Sequence, residues 1–479
     1  IIGLFLLYIV IVILHGTATD YQPEAKITTE IVGKNAQKII TDSTISLMTW
    51  NVGFGGLGEE TIFFYDAGGT MTADVPVTTP KEYFDKNEQG IENFIKDNKV
   101  DFYLSGSLTN TTYQRDGLWQ NEAYLELDSA GNVLEDNSSG KSEKLSFTGF
   151  GAKAGATYKI TGKHLIDFNA GYITKAPSIR NTFSNSRENN DIVDGITEEK
   201  ITSADLSYIF RSPIVKAKLT GFYTKIEDAN EISFYYADGL TNINIDVDGT
   251  NVNETTAFVQ EVLQGVDKNH FGAELGVEAQ VTPTIKLKGV ASVGQYTYDN
   301  NPNLYLTSSS FGKTETYTSN LKDYKVAGGP QQAYSFGFEY RDPDYWFFGA
   351  TANFYAKTYV DVSPLNRTEN FYLDNDGLPI NDYDEDIATE LLKQEEFDEY
   401  FVVNLTGGKS WKVGDYYIGF FASVNNLLDE VYKTGGFEQG RNANYKELLA
   451  DHSNPKRVFG SKYWYGRGTT YFLNVNFRF

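Results

Sequence analysis

The sequence predicts an all-β fold: an antiparallel transmembrane β-barrel of about 12 strands, partial in extent, preceded by a small N-terminal α/β fragment and an N-terminal hydrophobic helix. Three observations carry the barrel. From Thr470 onward the odd positions Tyr471, Leu473, Val475, Phe477 and Phe479 are apolar, while Thr470, Asn474, Asn476 and Arg478 are polar, with Phe472 the exception. That is period two, the signature of a strand with unlike faces, and the chain stops on an aromatic residue, as transmembrane barrels often do. The preceding hairpin repeats the pattern: Tyr416, Ile418, Phe420, Ala422 and Val424 share one face, and Tyr417, Gly419, Ser423 and Asn425 the other. Finally, very short connections alternate with long polar ones along most of the chain.

Composition narrows the function classes. The chain has 479 residues, with 64 acidic against 41 basic and a formal net charge of -23, which repels a phosphate backbone and argues against nucleic acid as a partner. There are no cysteines, so disulfides, zinc-thiolate sites and a cysteine nucleophile are excluded. The 33 Tyr, 32 Phe and 44 Gly suit interfacial aromatic girdles and close-packed tilted strands.

Residues 1–18 hold a hydrophobic anchor or signal segment. Ile1 to Leu14 is an uncharged apolar run whose helix would extend ~21 Å, short of the ~30 Å hydrocarbon core, so a longer segment is expected ahead of Ile1. We read it as an anchor in preference to the apolar region of a signal peptide with Gly16, Thr17 and Ala18 near the cleavage point.

Residues 19–100 have a different texture. Lys26 to Ala36 reads as a polar strand, Thr44 to Asn51 as a strand opening a sandwich, and Ile91 to Asn98 as a helix before a second strand at Val100-Asp101-Phe102. The run Leu47-Met48-Thr49-Trp50-Asn51, the glycine-rich 53–58 and 63–69 that follow resemble the endonuclease/exonuclease/phosphatase family, particularly its membrane-anchored bacterial members. The resemblance implies that Asn51 helps place a metal and a scissile phosphate, making Asn51 the candidate metal ligand. A neutral amide does not hold a divalent cation alone, and the family's Gln-Glu pair is missing where the chain continues Tyr103-Leu104-Ser105-Gly106-Ser107. The bland reading of Asn51, a strand-end amide satisfying turn backbone, therefore outweighs catalysis, and the chain is not expected to be an enzyme.

From residue 101 the pattern is that of strands. Twelve segments alternate or stay apolar: 102–113, 143–160, 164–174, 200–210, 214–236, 267–281, 285–299, 331–340, 345–360, 398–411, 416–426 and 467–479. Short turns fall near Thr161-Gly162-Lys163, Arg211-Ser212-Pro213, Thr282-Pro283-Thr284, Arg341-Asp342-Pro343-Asp344 and Val413-Gly414-Asp415; long polar stretches fill roughly 114–142, 175–199, 237–266, 300–330, 361–397 and 427–466. Short turns at one rim and long loops at the other are what an outer-membrane barrel shows, its two ends facing different compartments. The face Phe271, Ala273, Leu275, Val277 and Ala279 suits lipid; its opposite, Gly272, Glu274, Gly276, Glu278 and Gln280, suits a wet lumen.

Two motifs sharpen the family: Ala176 to Phe183 opening a long loop after a strand, and Val424-Asn425-Asn426-Leu427-Leu428-Asp429-Glu430-Val431-Tyr432 closing the second-last strand. With the aromatic end, these resemble TonB-dependent outer-membrane receptors over about residues 101–479. The resemblance implies energy-coupled uptake of a scarce nutrient, a metal chelate, a cofactor or a glycan. Its partners would be outer-membrane lipid, an extracellular nutrient ligand and an energising periplasmic protein. Family barrels have about 22 strands around a plug; neither plug nor docking segment is readable here, so the chain looks like the C-terminal part of such a receptor. No resident cofactor is implied.

Individual sites read mostly as structure. Asp374-Asn375-Asp376-Gly377 with Asn381, Asp382, Asp384, Glu385 and Asp386 is acidic but matches no complete calcium loop, and Asp246-Val247-Asp248-Gly249 reads as a turn. His164, His270 and His452 are far apart and form no triad. Tyr305, Tyr317, Tyr372, Tyr383, Tyr463 and Trp464 are loop aromatics able to stack on a ligand or anchor an interface; the ligand-contacting residues themselves are not readable. An inner-membrane anchor and an outer-membrane barrel conflict in one mature chain, which places a junction of two fragments near Asp97 to Phe102. Twelve strands alone would leave two unpaired edges in lipid, so the isolated chain is expected to assemble in low yield, measured as the fraction showing heat-modifiable gel migration after folding into detergent.

Overall fold

The computed structural model describes residues 100–238, 256–309, 312–374, 377–439 and 443–479. Among them twelve long strands form one sheet in chain order: β1 (Val100–Tyr113), β2 (Leu145–Lys159), β3 (His164–Lys175), β4 (Glu199–Arg211), β5 (Val215–Asp238), β6 (Thr256–Gln280), β7 (Ile285–Tyr298), β8 (Gln332–Arg341), β9 (Trp346–Ala356), β10 (Tyr400–Val413), β11 (Tyr416–Asn425) and β12 (Thr470–Arg478). Every neighbouring pair is antiparallel, and each strand read from alternation lies on one of the twelve. β1 and β12 are the two ends of the sheet path and do not pair with each other among the described residues.

Register turns the sequence alternation into two walls. One row of partners runs Val100, Tyr158, Ile166, Tyr208, Leu219, Leu275, Ala291, Tyr334, Phe354, Phe401 across ten strands, all apolar or aromatic. The adjacent row runs Asp101, Thr157, Asp167, Ser207, Thr220, Glu274, Ser292, Ala333, Tyr355, Tyr400. Since successive residues point to opposite faces, one row faces lipid and the next the lumen. Phe472, the exception in the last strand, belongs to the inner row and meets Phe421 at 6.0 Å, which in turn stacks on Phe347 at 6.1 Å.

The short connections lie together at one rim. At Val413-Gly414-Asp415 the turn needs Gly414 at φ 62, a conformation that strains any residue with a Cβ. Beside it, Lys409 lies under Trp346 and Trp411, its Nζ 5.0 and 5.7 Å from their rings, and donates to the Asp344 carbonyl at 2.8 Å. Indoles with a cation folded toward the turn are what a membrane–water boundary favours.

The opposite rim departs from expectation. The stretch 237–266 reads as a loop, yet β6 begins at Thr256; β5 and β6 run 24 and 25 residues, far beyond the ~9–11 that span a bilayer. Register shifts between Leu263, Val266 and Lys268, with Gly265 at φ 66 and Asp228 at φ 57, bulge the ladder where it leaves the membrane. Polar Gln260, Glu261 and Gln264 disguise the outer strand in sequence, although Val259, Val262, Leu263 and Val266 are all buried.

The long loops pack rather than float. Val259, Leu263 and Tyr298 join Leu304, Leu306, Tyr317, Leu321, Val362 and Leu365 in one core. A second core joins Phe371, Ile380 and Ala388 to Tyr445 and Leu448. Two short helices not foreseen from sequence carry the latter: α1 (Glu385–Leu391), capped by Asp384 accepting from the Ile387 amide, and α2 (Tyr445–His452), opened by a capping box of Asn444 and Glu447. The second-last-strand motif folds as a knot. Asn426, at φ 51, donates to the carbonyls of Glu430 (2.9 Å) and Arg467 (3.1 Å), while its own carbonyl accepts from Thr469 Oγ1 at 2.7 Å. β10 joins through Asn404, which accepts from the Asn426 amide at 2.9 Å.

Ile1 to Leu14, Asn51, the segments read as strands and a helix over 19–99, and Asp246 to Gly249 lie outside the described residues. Among those described, no helix is long and apolar enough to cross a membrane, which says nothing of a barrel. The two walls make opposite demands on charge. Leu275→Arg should destabilise by about 2–4 kcal/mol, whereas Ser292→Arg, on the lumen row, should cost less than about 1 kcal/mol; equilibrium unfolding in phospholipid vesicles measures both.

Candidate functional site

The inner wall near the short-turn rim is a ladder of charges and amides. Tyr103 donates to Asn169 at 3.0 Å, and Asn169 donates at 3.0 Å to both Asp167 and Asp205. Lys288 pairs with Glu339 at 2.9 Å and Lys286 with Glu278 at 3.2 Å. Side chains of this kind stay charged only against water or other polar surface, so this wall lines a wet interior.

Toward the long-loop rim the inner wall becomes aromatic. Tyr355 and Tyr400 lie 5.0 Å apart, and Tyr432 stacks on Tyr400 at 4.2 Å and 15°. Next to them Lys433 binds Glu395 at 2.9 Å with its Nζ 3.6 Å from the Tyr463 ring, and Tyr463 donates to the other Glu395 oxygen at 2.7 Å. Trp464 and Tyr465 are each 58 % exposed beside this cluster. Ring faces with a fixed ammonium and carboxylate suit non-covalent recognition of a flat or glycosidic ligand.

Above the mouth the loops are clamped by Arg367. Its guanidinium is buried, makes a bidentate pair with Glu438 (2.8 Å for the longer arm), donates to the Leu392 carbonyl at 2.7 Å and lies 4.9 Å over Tyr324. Burial works against its charge, but Glu438 and Tyr324 outweigh burial and hold its pKa above the ordinary value. Three loops, 300–330, 361–397 and 427–466, thus meet on one cation. On the far side Arg115 does similar work, donating to Ser138 O and Asn190 Oδ1 at 2.7 Å each and to Ser186 O at 2.9 Å. There burial pushes the Asp191 carboxyl up against the pull of Asn137, and burial with Glu188 pushes Tyr124 up to about 12.

The residues singled out from sequence separate accordingly. Tyr305 and Tyr317 are buried cap core, not ligand platforms; Tyr372, Tyr383 and Trp464 are exposed, and Tyr463 is held in the mouth. Asp374 closes a turn through the Leu378 amide at 3.0 Å and Asp384 caps α1, so two of the acidic-loop carboxylates have local structural work. His164 meets Tyr208 on the outer face, His270 lies against Tyr296 on the inner face, and His452 sits on α2 beside Arg457. Among the described residues no three His, Asp or Glu groups converge as metal ligands. Arg367, Glu438 and the Tyr355–Tyr400–Tyr432 stack escaped sequence reading; strand parity marks only Tyr355 and Tyr400, as inward-facing.

A family model described as TonB dependent receptor-like, beta-barrel matches residues 19–427. No curated protein matches the chain. Similar solved structures include the copper transporter OprC (17% identity, 78% of this chain, 46% of that one, TM-score 0.44). They include the ferric-catecholate import receptor Fiu from K12 E. coli (15%, 79%, 42%, TM-score 0.43) and the siderophore receptor PiuA from Acinetobacter baumannii (12%, 79%, 40%, TM-score 0.45). The chain spans less than half the length of these three.

Breaking the clamp on one side leaves a buried charge. Arg367→Met should destabilise the cap by about 3–5 kcal/mol, and adding Glu438→Gln should recover part of that loss. Limited proteolysis should then cut within 361–397 in the single variant first, with heat-modifiable migration of the barrel unchanged.

Proposed function

The chain belongs to the TonB-dependent receptor family through its β-barrel, and from that premise we propose that residues 101–479 form part of an outer-membrane receptor for energy-coupled uptake of a scarce nutrient. The observation that carries this is the pair of adjacent rows, apolar outside and polar inside, continuous across ten strands and capped at one rim by folded loops. Such a wall would line a wet path within a complete barrel. The ligand, a metal chelate, a cofactor or a glycan, is taken at the mouth by the Tyr355, Tyr400, Tyr432 and Tyr463 rings with Lys433 and Glu395 as polar groups. The family match supports an outer-membrane setting, where an energising periplasmic partner would act. Transport and recognition are non-covalent, and the reading assigns no catalytic residue.

A finer reading concerns the residues ahead of β1. Residues 1–18 are taken as a hydrophobic segment and 19–100 as a fragment resembling the endonuclease/exonuclease/phosphatase family, joined to the barrel near Asp97 to Phe102; the run ending at Asn51 is what favours it. Against it, the family match starts at residue 19 and runs through this stretch. DNA sequencing across the junction in the parent genome decides between a fusion and an assembly error. Magnesium-dependent phosphodiesterase turnover that disappears in Asn51→Ala would replace the receptor reading with an enzymatic one.

For the receptor reading, Tyr400→Ala and Lys433→Ala should each weaken binding of a retained chelate or glycan by roughly tenfold, about 1.4 kcal/mol. Quenching of indole fluorescence on titrating a ligand panel measures it. Unchanged affinity in both variants for a ligand that the chain binds would remove the mouth from the proposal.

A further inference from the structure

Near the short-turn rim the inner wall carries ion pairs on β1–β2 and on β6–β7: Lys159 lies 2.5 Å from Asp101, and Lys286 lies 3.2 Å from Glu278. Between those pairs, on β4 and β5, the pattern fails. Arg211 at the end of β4 is the register partner of Lys216 on β5, and Lys218, two residues on, is diagonal to Arg211. All three share the parity of Ser207 and Thr220, so they project into the lumen, and all three are exposed. Glu278, the carboxylate opposite Lys216, also serves Lys286. Among the described residues Arg211 and Lys218 have no carboxylate within ion-pair distance. Their inward neighbours Ile209, opposite Lys218, and Leu165, opposite Ile209, add apolar surface and no countercharge.

Like charges directly opposite on an antiparallel pair destabilise it, and here a third lies one diagonal step away. The Cβ atoms of such positions are ~5 Å apart across the ladder and ~7 Å on the diagonal, so long side chains from all three can converge on one small group. Arg211 brings a planar fork that matches two oxygens of one anion, and the lysines bring rotatable donors. A group with several acceptor oxygens answers this set; chloride has no oxygen to meet the fork. A second copy of the chain would bring the same cations and add to the repulsion, and the lumen parity turns the set away from lipid.

We propose that Arg211, Lys216 and Lys218 form an oxyanion-binding site on the lumen wall, for a phosphate or carboxylate group that is either free or carried by the transported nutrient. The inference rests on the barrel reading, which makes this face the lumen, and it adds to the mouth a second station of different chemistry near the opposite rim.

The test uses the full chain folded into detergent, with heat-modifiable migration selecting the folded fraction. Labelled inorganic phosphate and labelled citrate are offered separately by equilibrium dialysis, with potassium chloride holding the ionic strength constant. Wild type should bind at least one probe; phosphate binding identifies a free-phosphate site, and citrate binding alone identifies a carboxylate on the nutrient. Arg211→Gln and Lys218→Gln should each weaken that binding roughly tenfold, Arg211→Lys should keep part of it, and Lys200→Gln, on the outward parity of β4, should bind as wild type does. Because each Gln variant removes a repelling charge, its heat-modifiable fraction should equal or exceed that of wild type. Undiminished binding in both Gln variants, neither probe bound above the chloride background, or a hexaglutamate peptide bound where both small probes fail would each overturn the site. A chain with no heat-modifiable fraction would overturn the barrel reading itself, which separates the two failures.

Discussion

Every backbone amide and carbonyl in hydrocarbon must find a partner within the protein, because no water is there to supply one. The rest of this structure follows from that constraint. It forces the chain into long strands, each paired to its sequence neighbour from β1 to β11 and on to β12. Once pairing is obligatory, side chains have only two directions to take, and rows such as Val100 to Phe401 and Asp101 to Tyr400 follow.

Where water returns, the constraint lifts and the architecture changes. β5 and β6 continue beyond the belt, but a bulge at Asp228, Gly265 and Val266 breaks their register as they leave it. Beyond that point the chain behaves as a soluble protein, burying Val259, Leu304, Leu306 and Leu321 against one another. The buried cores therefore gather in the loops and the outer ends of β5 and β6, whereas many apolar side chains of the strands below them are exposed toward lipid. The loops enclose the aromatic mouth, and Arg367 is the cation on which three of them converge.

How much of this was legible depended on how local the signal was. The twelve strands were read from alternation, and the aromatic end, the short turns and the motif around Asn426 were all readable because each is a property of neighbouring residues. The outer half of β6 was not, since Gln260, Glu261 and Gln264 interrupt the apolar pattern and the bulge shifts its phase. Tyr305 and Tyr317 were taken as possible ligand platforms for a similar reason: a loop aromatic looks the same in sequence whether it is exposed or packed under another loop.

Sequence by itself determined the all-β class, the lipid-facing and lumen-facing parities and the rim at which the loops lie, since a period of two and the spacing of turns are written in adjacent residues. Only the tertiary structure decided that the loops form a packed cap and that Arg367 meets Glu438 across 71 positions. Those features join residues remote in the chain, and which remote residues meet is set by strand register and loop packing, neither of which any local pattern encodes.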